Sequence, residues 1–226
     1  MSIVVRATLA EQAYQELRTR ILSGRLAGGQ RLLPEELSVE LAISPTPIKE
    51  ALLRLESDGL VEWPLRRGAV VRRFTTHEVE ELYEARLLIE LNAVARIFER
   101  GANTPAFIET LRGNLARHAF HAGREGLDEL SSALAFDREF HQHIVLAAGN
   151  ALVAEWHLRI LRQTHTVFVY NAGNYARSVD EHRTIIEAFA AGYEAAVRNA
   201  VETHLIESRN NTLANIVRES ARSTPS

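Results

Sequence analysis

Cysteine is missing from all 226 residues, and methionine occurs only once. Without thiols there can be no disulfide scaffold, thiolate metal site, iron–sulfur cluster or cysteine nucleophile, and the chain suits a reducing compartment. No apolar run approaches the roughly 18 residues that a membrane-spanning helix needs. Met1 to Leu9 show no basic stretch followed by an apolar one, so the expectation is a cytoplasmic chain, neither exported nor membrane-embedded. Charge of one sign is scarce overall, the net value being −3. That sum hides an asymmetry: residues 1–75 hold 11 basic and 9 acidic side chains against 15 and 20 in the remainder, giving +2 and −5. The two parts can therefore have different partners.

What is present is ordinary globular material, 46% hydrophobic and 24% charged, which excludes a disordered tail or a low-complexity fibre. The length favours two modest domains. Leu9, Ala13, Leu17 and Ile21 recur at helical spacing and predict a helix over about 9–23. Pro34 opens a second, short one with Leu37 and Leu41 inward. Ser44 is placed to cap a third, with Pro45 and Pro47 in its first turn, Ile48, Ala51, Leu52 and Leu55 as its buried stripe, and Gly59 as its end. Residues 60–63 and 69–73 read as a small hairpin around the turn-prone Pro64 to Gly68. Three helices and a hairpin, in this order, make a winged helix-turn-helix over 1–75.

In such a unit the start of the last helix reaches base edges while basic side chains and the wing hold phosphates. Ser44, Thr46, Lys49 and Arg54 are the candidates on the helix, with Arg31, Arg66, Arg67, Gly68 and Arg72 around it. Two plainer readings stand beside this one. The arginines of the hairpin suit a solvated rim equally well, and capping alone accounts for Ser44.

Residues 76–226 carry continuous helical periodicity, with helices expected over about 77–100, 105–121, 126–148, 151–170, 179–191 and 193–218. Ser178 with Glu181 suggests a capping box for the fifth. Several inward faces carry polar residues. Asp137 and His141 interrupt the line of Leu127, Leu130, Leu134, Ile144 and Ala148; His182 lies with Ile185, Ile186 and Phe189; His204 with Val197, Ala200 and Val201; and Arg86 with Val79, Leu82, Ile89 and Ala93. Burying a carboxylate unpaired costs several kcal/mol, on the order of 2–7 even for a neutral polar group, so partners are required. Asp137 and His141, one turn apart, can grip one ion. One carboxylate and three imidazoles suit a divalent Zn, Ni, Mn or Fe ion. Alternatively, Asp137 and His141 form an ion pair, Arg86 pairs with Glu90, and each histidine is a hydrogen-bonded core residue. His77, His118, His121, His143, His157 and His165 show no comparable pattern.

The stretch Ser44-Pro45-Thr46-Pro47-Ile48-Lys49-Glu50-Ala51-Leu52, with Leu55-Glu56, Gly59-Leu60-Val61 and Arg66-Arg67-Gly68, resembles the DNA-binding head of GntR transcription factors of the FadR-like branch. Residues 77–226 are similar to that branch's helical FCD effector domain, through Arg86, Asp137-x3-His141, Gly149-Asn150, Glu181-His182 and Ala200-x3-His204. The resemblance implies that Asp137, His141, His182 and His204 bind the metal, that Arg86 clamps a small carboxylate metabolite, and that Asn150 contacts the metabolite or shapes its turn. It implies a homodimer, most often a repressor, on a double-stranded DNA operator. The family usually has arginine where this chain has Glu35, Pro45 and Lys49, which lowers the number of guanine contacts expected. Two rival functions are a metal-dependent hydrolase or lyase, for which His-Glu-x-x-His is lacking, and a regulator whose metal is purely structural.

Overall fold

The computed structural model describes residues 7–22, 25–65, 67–170 and 175–222. The chain divides into two compact units, Met1–Phe74 and Thr75–Ser226.

The first unit contains α1 (Leu9–Leu22), β1 (Arg31–Leu32), α2 (Pro34–Leu41), α3 (Pro45–Ser57), β2 (Val61–Glu62) and β3 (Ala69–Val71). Thr8 caps α1, its Oγ1 accepting from the Glu11 amide at 3.1 Å. The core is the apolar stripe of α1 (Ala13, Leu17, Ile21) against that of α3 (Ile48, Ala51, Leu52, Leu55), all fully buried. Burial of each large aliphatic there is worth about 1.5–3 kcal/mol. Between α2 and α3 the chain turns through Ala42, whose φ of 53° places it in the left-handed region. The expected hairpin is present as β2 and β3, but the sheet has a third strand that periodicity did not reveal. Arg31 and Leu32 pair antiparallel with β3, which lies in the middle of the order β1-β3-β2. Two residues are too few to show an alternating pattern.

Ser44 stands at the cap position of α3, with extended φ and ψ, yet its side chain makes no capping hydrogen bond. The cause lies in the first turn. A capping hydroxyl accepts from the amide two or three positions on; Pro47, the third, has none, which leaves only the Thr46 amide, and that bond is not made. Capping therefore does not account for Ser44, contrary to the plainer expectation.

The second unit is a bundle of α4 (Thr76–Glu99), α5 (Pro105–Ala122), α6 (Leu127–Ala147), α7 (Ala151–Tyr170), α8 (Tyr175–Ala191) and α9 (Glu194–Arg222). A full capping box, Thr75 with Glu78, starts α4, and Thr104 caps α5. The box expected at Ser178 and Glu181 is not formed: α8 already begins at Tyr175, so both residues sit inside the helix. Packing joins α5 to α6 and α8, α9 to α4 and α8, and α4 to α6 and α7. One core runs through Val94, Ile97, Leu111, Phe140, Ile144, Ile185, Phe189, Val201 and Leu205. Phe189 is its aromatic centre, stacked on Phe98 and edge-on to Phe107. No helix among the described residues is long and apolar enough to cross a membrane.

Candidate metal and effector site

The polar side chains inside the bundle converge. Asp137 and His141 come from α6, His182 from α8 and His204 from α9, and none is more than 7% exposed. The rings of His141, His182 and His204 form a near-equilateral triangle, with centroids 5.0, 4.9 and 5.0 Å apart. One ligand atom from each lies within 4.8 Å of the others. Asp137 is drawn to one corner: its Oδ1 is 3.4 Å from His182 Nε2, and it forms a second such group with His182 and His118 of α5.

The hydrogen bonds around the triangle set its chemistry. His141 Nδ1 lies 2.7 Å from Glu90 Oε2, and His204 Nδ1 lies 2.7 Å from Glu181 Oε2. A carboxylate accepts, so both rings present an Nδ1 proton to a glutamate, and a ring that is neutral then has its lone pair on Nε2. The two Nε2 atoms then face each other at 3.2 Å. His182 has no hydrogen-bond partner at either nitrogen, although both are buried. Burial pushes its pKa well below the usual imidazole range, and burial, opposed by Glu90, takes His141 down to about 4. Both rings are neutral at physiological pH, the form that binds metal. Neutral imidazoles with converging lone pairs, a nearby carboxylate and no thiol fit a divalent ion.

Arg86 and Glu90 form a buried pair on α4, Nε to Oε1 at 2.9 Å. The inward face of α4 runs Val79, Tyr83, Arg86, Glu90, Ala93, not through Leu82 and Ile89 as expected, and so it includes Glu90. Burial raises the carboxyl pKa, but His141, Arg86 and the hydrogen bonds from His141 and His157 overcome it and hold Glu90 well below its ordinary value. Arg86 Nη2 is buried with no partner, so half of the guanidinium fork is uncommitted. Its Cζ lies 5.4 Å from the Tyr83 ring, and the Tyr83 hydroxyl meets Ser208 Oγ of α9 at 2.8 Å.

Asn150 is elsewhere. It is exposed, and its Oδ1 accepts from the Val153 amide at 3.2 Å, capping α7. Of the two roles expected for it, shaping the turn is the one visible. Glu90 was expected only as a partner of Arg86, which it is, and two polar residues of the site, His118 and His157, were missed. His118 completes an inward stripe with Leu111 and Asn114, and His157 one with Ala154 and Leu161; these three- and four-residue steps were the signal available. His157 Nε2 lies 3.1 Å from Glu90 Oε1. His204 and Glu181 also form part of the wall of an open groove of about 650 Å³ between α8 and α9.

In the first unit, Ser44, Thr46 and Lys49 are exposed at the start of α3, as are Arg31 and Arg67. The Arg31 guanidinium lies beside Gly68, where a Cβ would be 3.9 Å from its Nε and Nη2, so β1 and the wing are brought together. Arg66 lies outside the described residues. Arg54 is turned the other way: it pairs with Glu11 at 2.7 Å and covers the Tyr14 ring at 4.2 Å, holding α3 to α1.

A winged helix-turn-helix unit followed by a helical unit is a build that DNA-binding regulators use. Residues 9–71 match the model of bacterial regulatory proteins of the gntR family, and residues 81–207 match the FCD domain. An HTH-type transcriptional regulator in an unstable DNA locus of Streptomyces ambofaciens is 30% identical over 85% of this chain and 80% of its own. A probable D-xylose utilization operon transcriptional repressor of Paenarthrobacter nicotinovorans is 28% identical over 89% and 88%. The solved structure of a GntR regulator from Rhodococcus sp. RHA1 superposes with a TM-score of 0.67 at 22% identity, covering 91% of this chain and 97% of that one. The chain belongs to the GntR family of DNA-binding transcriptional regulators and carries an FCD domain. The family and these relatives are regulators of transcription, not enzymes, which sets aside the hydrolase and lyase alternative.

Proposed function

We propose that this protein is a cytoplasmic, homodimeric repressor whose helical domain, residues 76–226, holds a divalent metal and a small carboxylate effector, and whose head, residues 1–75, grips a double-stranded operator. The observation that carries the reading is the pair of facing Nε2 atoms on His141 and His204, each ring fixed by a carboxylate at Nδ1. Two lone pairs 3.2 Å apart repel unless a cation lies between or beside them. The ion would be held by His141, His182, His204 and Asp137, and it supplies positive charge that attracts the effector. Arg86 supports an effector beyond a purely structural metal, because its buried Nη2 has no hydrogen-bond partner among the described residues and a carboxylate would satisfy it. Effector binding alters operator affinity only if it discriminates between two arrangements of the heads, a coupling of about 1–3 kcal/mol being typical.

Dimerisation finds support in exposed apolar side chains on two helices packed together, Leu88 of α4 with Leu152 and Trp156 of α7. On the DNA side the contacts are Ser44 and Thr46 at the start of α3, Lys49 one turn on, and Arg31, Arg67 and Gly68 around the wing. Arg54, paired with Glu11 in a part-exposed ion pair, would reach DNA only by releasing that partner.

Elemental analysis of the purified protein, then thermal shifts with citrate, lactate and sugar acids before and after chelation, tests the sensor half. The expected result is a bound divalent ion and a carboxylate-dependent shift that chelation abolishes. A shift unaffected by chelation, or no ion, overturns it. For the head, Lys49→Ala and Arg67→Ala should weaken operator binding and flatten its salt dependence by about one phosphate contact each.

A further inference from the structure

His118 lies beyond the four ligands considered so far, on a helix that contributes none of them. It is completely buried, its Nδ1 has no hydrogen-bond partner, and its Nε2 reaches only Ser178 Oγ at 3.5 Å. Its ring centroid is 5.2 Å from that of His182, and one of its nitrogens lies within 4.8 Å of ligand atoms on both Asp137 and His182. The described residues thus contain two overlapping donor groups, His141 with His182 and His204, and His118 with Asp137 and His182, which share His182, an imidazole with no hydrogen bond at either nitrogen and Asp137 Oδ1 3.4 Å from its Nε2.

A buried ring nitrogen without a hydrogen bond is unfavourable, and two neighbouring imidazoles, His118 and His182, each carry one beside the Asp137 carboxylate. Neither ring can donate usefully to the other. The ring of His182 is fixed in place by stacking on Phe140, with centroids 4.0 Å apart, so it cannot rotate towards a different partner.

We propose that His118 is a fifth protein ligand, so that the ion is bound by four imidazoles and one carboxylate, with His182 and Asp137 linking the α5 side of the site to the α9 side. The inference rests on the metal reading above and extends it. Five protein donors leave a six-coordinate ion a single open position, which favours metals that accept nitrogen-rich, high-coordinate surroundings over tetrahedral zinc.

The test uses the full-length protein, stripped of metal and titrated with Co²⁺. In the wild-type complex, four hyperfine-shifted, exchangeable imidazole N–H resonances are expected, one for each coordinated ring. His118→Leu should reduce these to three, change the visible absorption of the bound Co²⁺, and weaken its affinity at least about 10-fold, since even residues that merely orient a ligand are worth about 10–100-fold. Three resonances in the wild type, or a His118→Leu complex with the same spectrum and affinity, overturn the assignment of His118 and leave the four-ligand site intact. No Co²⁺ uptake by the wild type overturns the metal reading itself. If His118→Leu fails to fold, the wild-type count still decides.

Discussion

The Nε2 atoms of His141 and His204 lie 3.2 Å apart, and behind each ring stands a glutamate that dictates its tautomer. Glu90 and Glu181 are not equivalent in this. Glu90 is fully buried and also receives Arg86 and His157, whereas Glu181 is partly exposed and shares its charge with Arg177.

Glu90→Gln is accordingly expected to be the more damaging of the two substitutions. It leaves the Arg86 charge buried without a counterion, a loss of about 3–5 kcal/mol by the usual cost of breaking such a pair. It also releases the tautomer of His141, which should weaken metal affinity about 10- to 100-fold. Glu181→Gln should reduce affinity with little change in unfolding free energy. Denaturant melts and metal titrations of the two variants provide the comparison, and equal stability losses would count against the assigned roles.

Ser44→Ala separates folding from recognition. A cap serine replaced by alanine ordinarily costs about 1 kcal/mol, but the missing amide of Pro47 leaves no such bond to lose. Unfolding should change by less than about 0.5 kcal/mol while operator affinity falls. A full capping penalty in the melts would show that the hydroxyl bonds the helix after all.

Tyr14 ties α1 to the end of α3, its hydroxyl donating to Asp58 Oδ2 at 2.6 Å. Burial, with Asp58 beside it, pushes the phenol up to about 12. Because the folded value exceeds the unfolded one near 10, the stabilisation is complete below about pH 10 and disappears as pH rises towards 12. Tyr14→Phe should cost about 1 kcal/mol, a charged-acceptor hydrogen bond discounted for partial exposure. The gap between wild type and variant in denaturant midpoint should be constant from pH 7 to 9 and narrow above about pH 10. A gap that widens there would invert the sign and remove the assignment.

Leu88→Glu with Trp156→Glu tests the apolar face shared by α4 and α7. Both side chains are more than half exposed, so the fold of one protomer should persist by circular dichroism. Sedimentation should report monomers, and operator binding should lose its cooperative form. A dimer that survives both charges places the interface elsewhere.

What could be read from the sequence, and what could not, follows from the range of the interactions concerned. The third helix of the head and the Asp137–His141 pair were legible because both depend on steps of three and four residues within one long periodic segment. Strand β1 was not, since Arg31 and Leu32 become a strand only through pairing with residues almost forty positions away. The start of α8 was misplaced because Ser178 offered a good capping pattern, yet in the fold it lies in the second turn, facing His118 across the bundle. Glu90 was read only as a partner of Arg86, and His118 and His157 were passed over. Each lies on an inward stripe, but only the packing of α4, α5 and α7 around α6 makes their common destination visible.

The candidate donors come from helices well separated along the chain, His141 and His182 being 41 positions apart and His182 and His204 22 positions apart. An ion held by all three works as a cross-link that the unfolded chain cannot reproduce, and binding energy becomes folding energy. If the chain holds such an ion, copies without it would open more often and fall to proteases sooner. A cell starved of the ion would therefore contain fewer molecules of the regulator, rather than the usual number of molecules deaf to their metabolite, and its target genes would be released by scarcity instead of by signal.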